Sequence, residues 1–192
     1  MNTGIIASRY ARALLKRVDE TGNGETVLRQ VKALGQALDA VPELRNVVAD
    51  RMEVAYSRKM KLFEAALVPT DADAPREPLA PELRGFLELL MRNDRIGDVR
   101  LIFHSFERAY YRARGLKKGV LRVVTPSPDL EERLRYLVES KTGCRLLLKT
   151  EVDPSLIGGF VFEIEDLLLD ASVRHQLEII RNQFVERNRR IV

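Results

Sequence analysis

Two histidines, one cysteine, a pair of adjacent glycines and a scatter of carboxylates are the residues of this 192-residue chain whose types could do chemistry. His104 and His175 each stand alone on a segment of helical period. Neither belongs to an H-E-x-x-H or comparable ligand pair, so no metal site is expected. Cys144 opens a strand-like run with no histidine beside it in sequence, which points to a buried structural thiol. As the only cysteine it has no partner for an intramolecular disulfide, and nothing indicates an oxidising compartment. The acidic stretch "EIED" (163–166) reads as a hairpin tip rather than a catalytic pair. Nothing resembles a nucleophile elbow. The glycine pair Gly158–Gly159 lies in "DPSLIGGF" (153–160). A phosphate loop would need a following Gly-Lys-Ser/Thr, and a dinucleotide turn three spaced glycines between strand and helix. Here the pair follows a proline-containing turn and precedes a strand, so backbone freedom at a bend explains it. No catalytic residue and no cofactor is expected; binding is the better class.

The elements that would position a binding surface divide into two grammars. Up to about residue 115 the pattern is helical. On the first helix Ile6, Tyr10, Leu14 and Val18 recur at spacing four, and Ala7, Ala11 and Leu15 form a row beside them. The two rows cover roughly half the circumference, wider than one core contact needs. Such a helix packs on two things at once: its own bundle and another chain, or a bundle that wraps it fully. "TGNG" (21–24) ends it. Residues 25–40 read as a second helix, Pro42 opens a short third, "YSRKMKLFEAAL" (56–67) gives a fourth, Pro81 opens a fifth and residues 97–114 a sixth. The stretch 68–81 holds half of the eight prolines and no helical period, so it reads as a loop within the helical part. Short connections favour a compact bundle.

After Gly115 the pattern changes. "GVLRVVT" (119–125), "CRLLLKT" (144–150) and "GFVFEIE" (159–165) read as strands, and "DLLLD" (166–170) can pair back as a hairpin. Residues 127–143 read as a helix with Ser127 as N-cap, Pro128 at its first position and Gly143 at its end. Its apolar residues Leu130, Leu134, Leu137 and Val138 share a face. Ser172 or Asp170 can cap a last amphipathic helix carrying Val173, Leu177, Ile180 and Phe184. The expected fold is mostly α: an N-terminal six-helix bundle (1–111), a hinge (112–118) and a small C-terminal α/β domain (119–192).

The net charge is a mild +4, gathered in "RARGLKK" (112–118) and "RNRR" (187–190). The first run adjoins Tyr110 and Tyr111, so a small basic nucleic-acid-binding adaptor is the alternative. A dedicated nucleic-acid domain carries a denser stripe, and tyrosines ending a long helix more often pack on their bundle. No window approaches the roughly 18 to 20 apolar residues a membrane span needs. The reading is a soluble, cytoplasmic chain whose membrane attachment comes through a partner. The wide apolar face of the first helix favours a helix-in-groove contact with another protein.

Several stretches together resemble one family. "RYARAL" (9–14), "LLMRNDR" (89–95) and "DPSLIGGFVFEI…DLLLDASVRHQL" (153–177) are similar to the delta subunit of bacterial F-type ATP synthases, whose mitochondrial counterpart is the oligomycin-sensitivity-conferring protein. The resemblance runs nearly end to end and in the same order. It implies a non-catalytic stator that ties the catalytic head to the peripheral stalk, on the cytoplasmic face of the bacterial plasma membrane. It implies that the N-terminal helix of an alpha subunit lies in a groove between the first and fifth helices. By position the candidates are Tyr10, Ala11, Leu14, Leu15 and Val18 on the first, with Phe86, Leu89, Leu90 and Asn93 on the fifth. It further implies that the C-terminal part binds the C-terminal helices of the stalk's b subunits. There Gly158, Gly159 and Phe160 shape the fold, and the last helix lies near the contact. On this basis Leu14→Asp is expected to break alpha binding. Two features depart from the family pattern: the long 68–81 loop, and Ala171 where a glycine is common.

Overall fold

The computed structural model describes residues 3–49, 56–67 and 78–189. The chain divides into two compact units, 1–110 and 111–192. The described part is mostly helical with one small sheet.

Unit 1 carries α1 (Thr3–Thr21), α2 (Gly24–Ala40), α3 (Pro42–Ala49), α4 (Tyr56–Ala66), α5 (Pro81–Arg92), a 3-10 turn at Ile96–Asp98 and most of α6 (Val99–Ala113). The loop expected over 68–81 lies largely outside the described residues; 78–80 are non-helical. α2 is central: it packs against α1, α3, α4 and α5. Its stripe Val27, Val31, Leu34 and Leu38 is fully buried, together with Phe63 of α4 and Leu83, Leu87 and Leu90 of α5. The 3.6-residue period brings these side chains to one face, and their burial supplies most of the drive to form the unit. α6 is tied to α2 by an ion pair of Arg100 with Asp39 and by Lys32 and Glu107, 3.8 Å apart.

Unit 2 holds a four-stranded sheet in the order β2-β1-β3-β4. Its elements are β1 (Leu116–Val123), α7 (Pro128–Thr142), β2 (Arg145–Val152), β3 (Phe160–Ile164), β4 (Leu167–Asp170) and α8 (Val173–Arg189). β1 and β2 are parallel, as a helical crossover requires, while β3 runs antiparallel to β1 and to β4. Leu134 and Val138 of α7 cover one sheet face, on Leu121, Val123, Leu146, Phe162 and Ile164. On the alternate positions Arg122 sits between Glu151 and Glu163, at 3.6 and 3.5 Å. Gly143 ends α7 in the left-handed conformation, φ 66°.

Four details differ from the sequence reading. β1 begins at Leu116, which pairs with Arg145, rather than at Gly119. Within the stretch 112–118, Arg112 and Ala113 finish α6, Leu116, Lys117 and Lys118 are in the sheet, and Arg114 and Gly115 turn between them. The parallel ladder overrides the low strand propensity of the lysines. Ser127 sits at the N-cap of α7 without a side-chain cap bond. Leu137 is half exposed, because the sheet reaches only the Leu134–Val138 side of α7. Cys144, on the turn before β2, is partly exposed rather than buried.

Candidate partner-binding surfaces

On α1 the buried stripe is Ala7, Ala11, Leu14 and Val18. It takes two members from each row in the sequence, because a straight helix drifts against a spacing of four. Ile6, Tyr10 and Leu15 are left half-buried on its flanks. Beside this stripe α1 and α5 bound a groove of about 310 Å³, lined by Ala13, Leu14 and Arg17 on one side and Pro81, Glu82, Gly85, Phe86 and Leu89 on the other. The groove exists because small residues face it. Ala13 and Gly85 leave room that larger side chains would fill, and nothing lies within 4 Å of a Cβ added at Gly85.

The nine candidate contact residues separate sharply here. Leu14, Phe86 and Leu89 line the groove. Leu89 is 43% exposed, whereas Leu14 is 1% exposed and reaches the groove only with its edge. Tyr10 and Asn93 join across α1 and α5: the Asn93 amide Nδ2 donates to the Tyr10 hydroxyl at 3.1 Å. The Tyr10 ring also meets Phe86 edge-on, centroids 6.4 Å apart. Ala11, Val18 and Leu90 are core residues of the unit itself. Leu15 is half-buried and does not line the groove. Ala13, Arg17, Pro81, Glu82 and Gly85 line it and were passed over in the sequence. The missed signal was the i, i+4 pair of Ala13 and Arg17 running alongside Tyr10 and Leu14.

One end of the groove is ionic. Asn23 Nδ2 donates to Glu82 Oε1 at 3.3 Å, tying the first turn of α5 to the link between α1 and α2. Glu82's carboxyl is held below its ordinary value, chiefly by its own backbone N–H, then by Thr21, Asn23 and the charge of Arg17. It is a fixed anion beside the Arg17 cation at neutral pH. A second hollow, about 570 Å³ between α4 and α5, has Met60 and Met91 at its floor and a charged rim in which Arg84 pairs with Glu64.

In unit 2 the glycine pair has a specific task. Gly159 has φ +73°, and a Cβ there would stand 2.2 Å from the Ala171 carbonyl oxygen. The segment entering α8 crosses directly over it. Ala171 N–H donates to the Phe160 carbonyl at 2.9 Å and Val173 N–H to that of Gly158 at 3.0 Å. Phe160 itself is half-buried beside the α7–sheet core. Both candidate caps act together: Asp170 Oδ1 accepts from Ser172 N–H at 2.9 Å, and Ser172 Oγ accepts from His175 N–H at 3.2 Å. Ser172 is fully buried. The start of α8 is thus firmly seated, yet its apolar residues Leu177, Ile179, Ile180, Phe184 and Val185 are all exposed. So are Leu167, Leu168 and Leu169 on β4, an edge strand.

Among the described residues no cluster of His, Cys, Asp or Glu could hold a metal ion, and no helix is long and apolar enough to cross a membrane. His104 has its Nε2 3.9 Å from Asp39 on an exposed face, and His175 lies exposed on α8. The nucleic-acid alternative loses its stacking groups: Tyr110 and Tyr111 are buried, and Lys118 lies over the Tyr111 ring at 4.9 Å.

A helix-lined groove between α1 and α5 and a seated helix with an uncovered apolar stripe are the surfaces that the described residues offer to a partner. The family profile of the ATP synthase delta (OSCP) subunit matches residues 6–184, and the chain belongs to that family. It is thereby a structural subunit of the ATP synthase peripheral stalk, not an enzyme. The chain is 34% identical to the ATP synthase subunit delta of Phocaeicola vulgatus and 32% identical to that of Bacteroides thetaiotaomicron, each over the full length of both chains. It is 31% identical to that of Myxococcus xanthus, over 95% of this chain and 97% of the relative. Among solved structures, a chain of the Toxoplasma gondii mitochondrial ATP synthase hexamer shares the fold. The TM-score is 0.61 at 20% identity, covering 93% of this chain and 97% of that one.

Proposed function

We propose that the chain is the stator connector of a bacterial ATP synthase. Unit 1 holds the N-terminal helix of an alpha subunit, and unit 2 holds the C-terminal helices of the b subunits. The observation that carries the first contact is the α1–α5 groove, with exposed Leu89 on its rim and Tyr10 and Asn93 joined across the same helix pair. An amphipathic helix laid there would bury apolar side chains on Leu89, Phe86 and the edge of Leu14 while its polar face met Arg17 and Glu82. The α8 stripe supports the second contact, since an amphipathic helix normally buries that face. A stator resists torque, so it needs tight interfaces rather than reactive groups. In this reading the six helices of residues 1–111 work as one bundle. The protein is peripheral, at the cytoplasmic face of the plasma membrane, and attaches only through its partners.

Affinity purification of the tagged chain from detergent-solubilised membranes of its source, with mass spectrometry of what co-purifies, tests this reading. Recovery of alpha, beta and b subunits is expected. Recovery of nucleic acid or unrelated soluble proteins without those subunits would refute it.

A further inference from the structure

Gln30 stands in the middle of α2, a position whose neighbours Val27, Val31 and Leu34 are all core, and it is itself only 2% exposed. A buried carboxamide must find partners for both ends. Its Oε1 accepts from the Ala80 backbone N–H at 2.9 Å, and its Nε2 donates to the Pro78 carbonyl at 2.9 Å. Both partners belong to the residues immediately before α5. Ala80 is the N-cap of that helix and has no side chain able to cap it. Leu83, at the third helical position, cannot reach back to the Ala80 N–H as a capping box would, and a side chain some fifty residues earlier in the chain takes that N–H instead.

The gripped residues adjoin the groove. Pro81, Glu82, Gly85, Phe86 and Leu89, the entire α5 wall, fall within the turns that follow Ala80. From this we infer that Gln30 is a positioning residue for partner binding: its amide fixes where α5 begins and so holds the groove open at the width its occupant needs. The inference rests on the alpha-helix reading of the groove given above. Gln30 does not line the groove, so it acts only through α5.

The test uses the full-length chain and a synthetic peptide of the alpha subunit's N-terminal segment. Gln30→Met keeps length and apolar volume but loses both bonds. Leu38→Ala, in the same helix and core, is the control for general destabilisation. Binding is measured well below each variant's unfolding midpoint, with hydrogen exchange of the free proteins read alongside. If the start of α5 is in place only about a tenth of the time, apparent affinity falls about tenfold. Gln30→Met is expected to show that loss, with faster exchange confined to Ala80 and the first turns of α5. Leu38→Ala is expected to keep its affinity. Unchanged affinity in Gln30→Met, or an equal loss in Leu38→Ala, overturns the inference. So does fast exchange of the Ala80 amide in the unmodified chain, a measurement that does not depend on any variant folding. Absence of peptide binding by the unmodified chain would instead overturn the groove reading itself, and this one with it.

Discussion

Replacing Gly159 by alanine perturbs the close crossing at the start of α8. Two costs apply. A non-glycine residue at φ +73° is held in the left-handed region, about 1–2 kcal/mol. The new methyl would stand 2.2 Å from the Ala171 carbonyl oxygen, a backbone atom that must move. Moving it strains or breaks the bonds of Ala171 N–H to Phe160 O and Val173 N–H to Gly158 O, each contributing about 0.5–1.5 kcal/mol. The sum is about 2–5 kcal/mol, a large share of the stability of a small domain. Two neighbours calibrate it. Gly143→Ala, φ +66° with nothing within 4 Å, carries the conformational cost alone, about 1–2 kcal/mol. Gly158→Ala meets chiefly Val173 Cγ2 at 3.0 Å, a side chain able to yield, and costs less than about 1 kcal/mol. Urea denaturation with residue-resolved hydrogen exchange of unit 2 gives all three values. In Gly159→Ala the first-turn amides of α8 should lose protection before the sheet does. A Gly159→Ala cost no larger than that of Gly143→Ala would refute the reasoning, because the close crossing would then carry no energy.

Leu89→Asp should abolish binding of the alpha peptide and change stability by less than about 0.5 kcal/mol, since the side chain is already half in water; calorimetry and a melting curve read both. Leu14→Asp, which looks equivalent in sequence, should instead unfold unit 1, with a cost of about 4 kcal/mol or more for an unpaired buried carboxylate. Leu177→Asp with Phe184→Asp should leave the exchange protection of unit 2 unchanged and remove b-subunit recovery in a pull-down. Asp153 and Asp170 both lie below the ordinary value of 3.8, through hydrogen bonds from the side chain and then the backbone of Ser155 and Ser172 respectively. A lowered folded-state value stabilises above the unfolded one and is lost as pH falls through it. The contribution of these two carboxylates should therefore persist across neutral pH and be lost only below about 3.8, followed by α8 exchange.

Much of this was legible without coordinates, for identifiable reasons. The helices of unit 1 carry full apolar periods, and Gly143 and the Pro128 start marked α7 by local conformational rules that tertiary context did not override. The family came from ordered short motifs rather than from any one residue. Of the residues assigned by position, Val18 and Leu90 lie in the core of the unit and Leu14 lines the groove while almost wholly buried, since large apolar residues are the ones the core takes first. The groove instead follows from smallness at Ala13 and Gly85, which no hydrophobic scale promotes. The glycine pair read as a bend; its cause, the Ala171 carbonyl passing over Gly159, links residues that only the fold brings together. Gln30 gives no signal in the sequence for the same reason, since its partners at Pro78 and Ala80 lie in a stretch with no period of its own.

The two proposed contacts then differ in kind. In unit 1 the apolar residues are largely taken by the core, and what is left is a groove whose fit depends on where α5 starts. In unit 2 the apolar stripe is uncovered. Full burial of a large apolar side chain contributes about 1.5–3 kcal/mol, so covering the five half-exposed residues of α8 would add roughly 4–7 kcal/mol. Association costs about 4–15 kcal/mol before any net affinity appears. The α8 stripe alone would therefore hold a stalk helix weakly or not at all. A second uncovered apolar stretch of this unit, adjoining the start of α8 in the chain, is Leu167, Leu168 and Leu169 on the edge strand, with Leu167 73% exposed. Covering these three would add roughly 3–6 kcal/mol and bring the gain to roughly 7–13 kcal/mol, well clear of the lower bound of the cost. In the proposed assembly the b-subunit contact draws on β4 as well as α8, and the Gly159 crossing, over which the segment between them passes, sets their relative position.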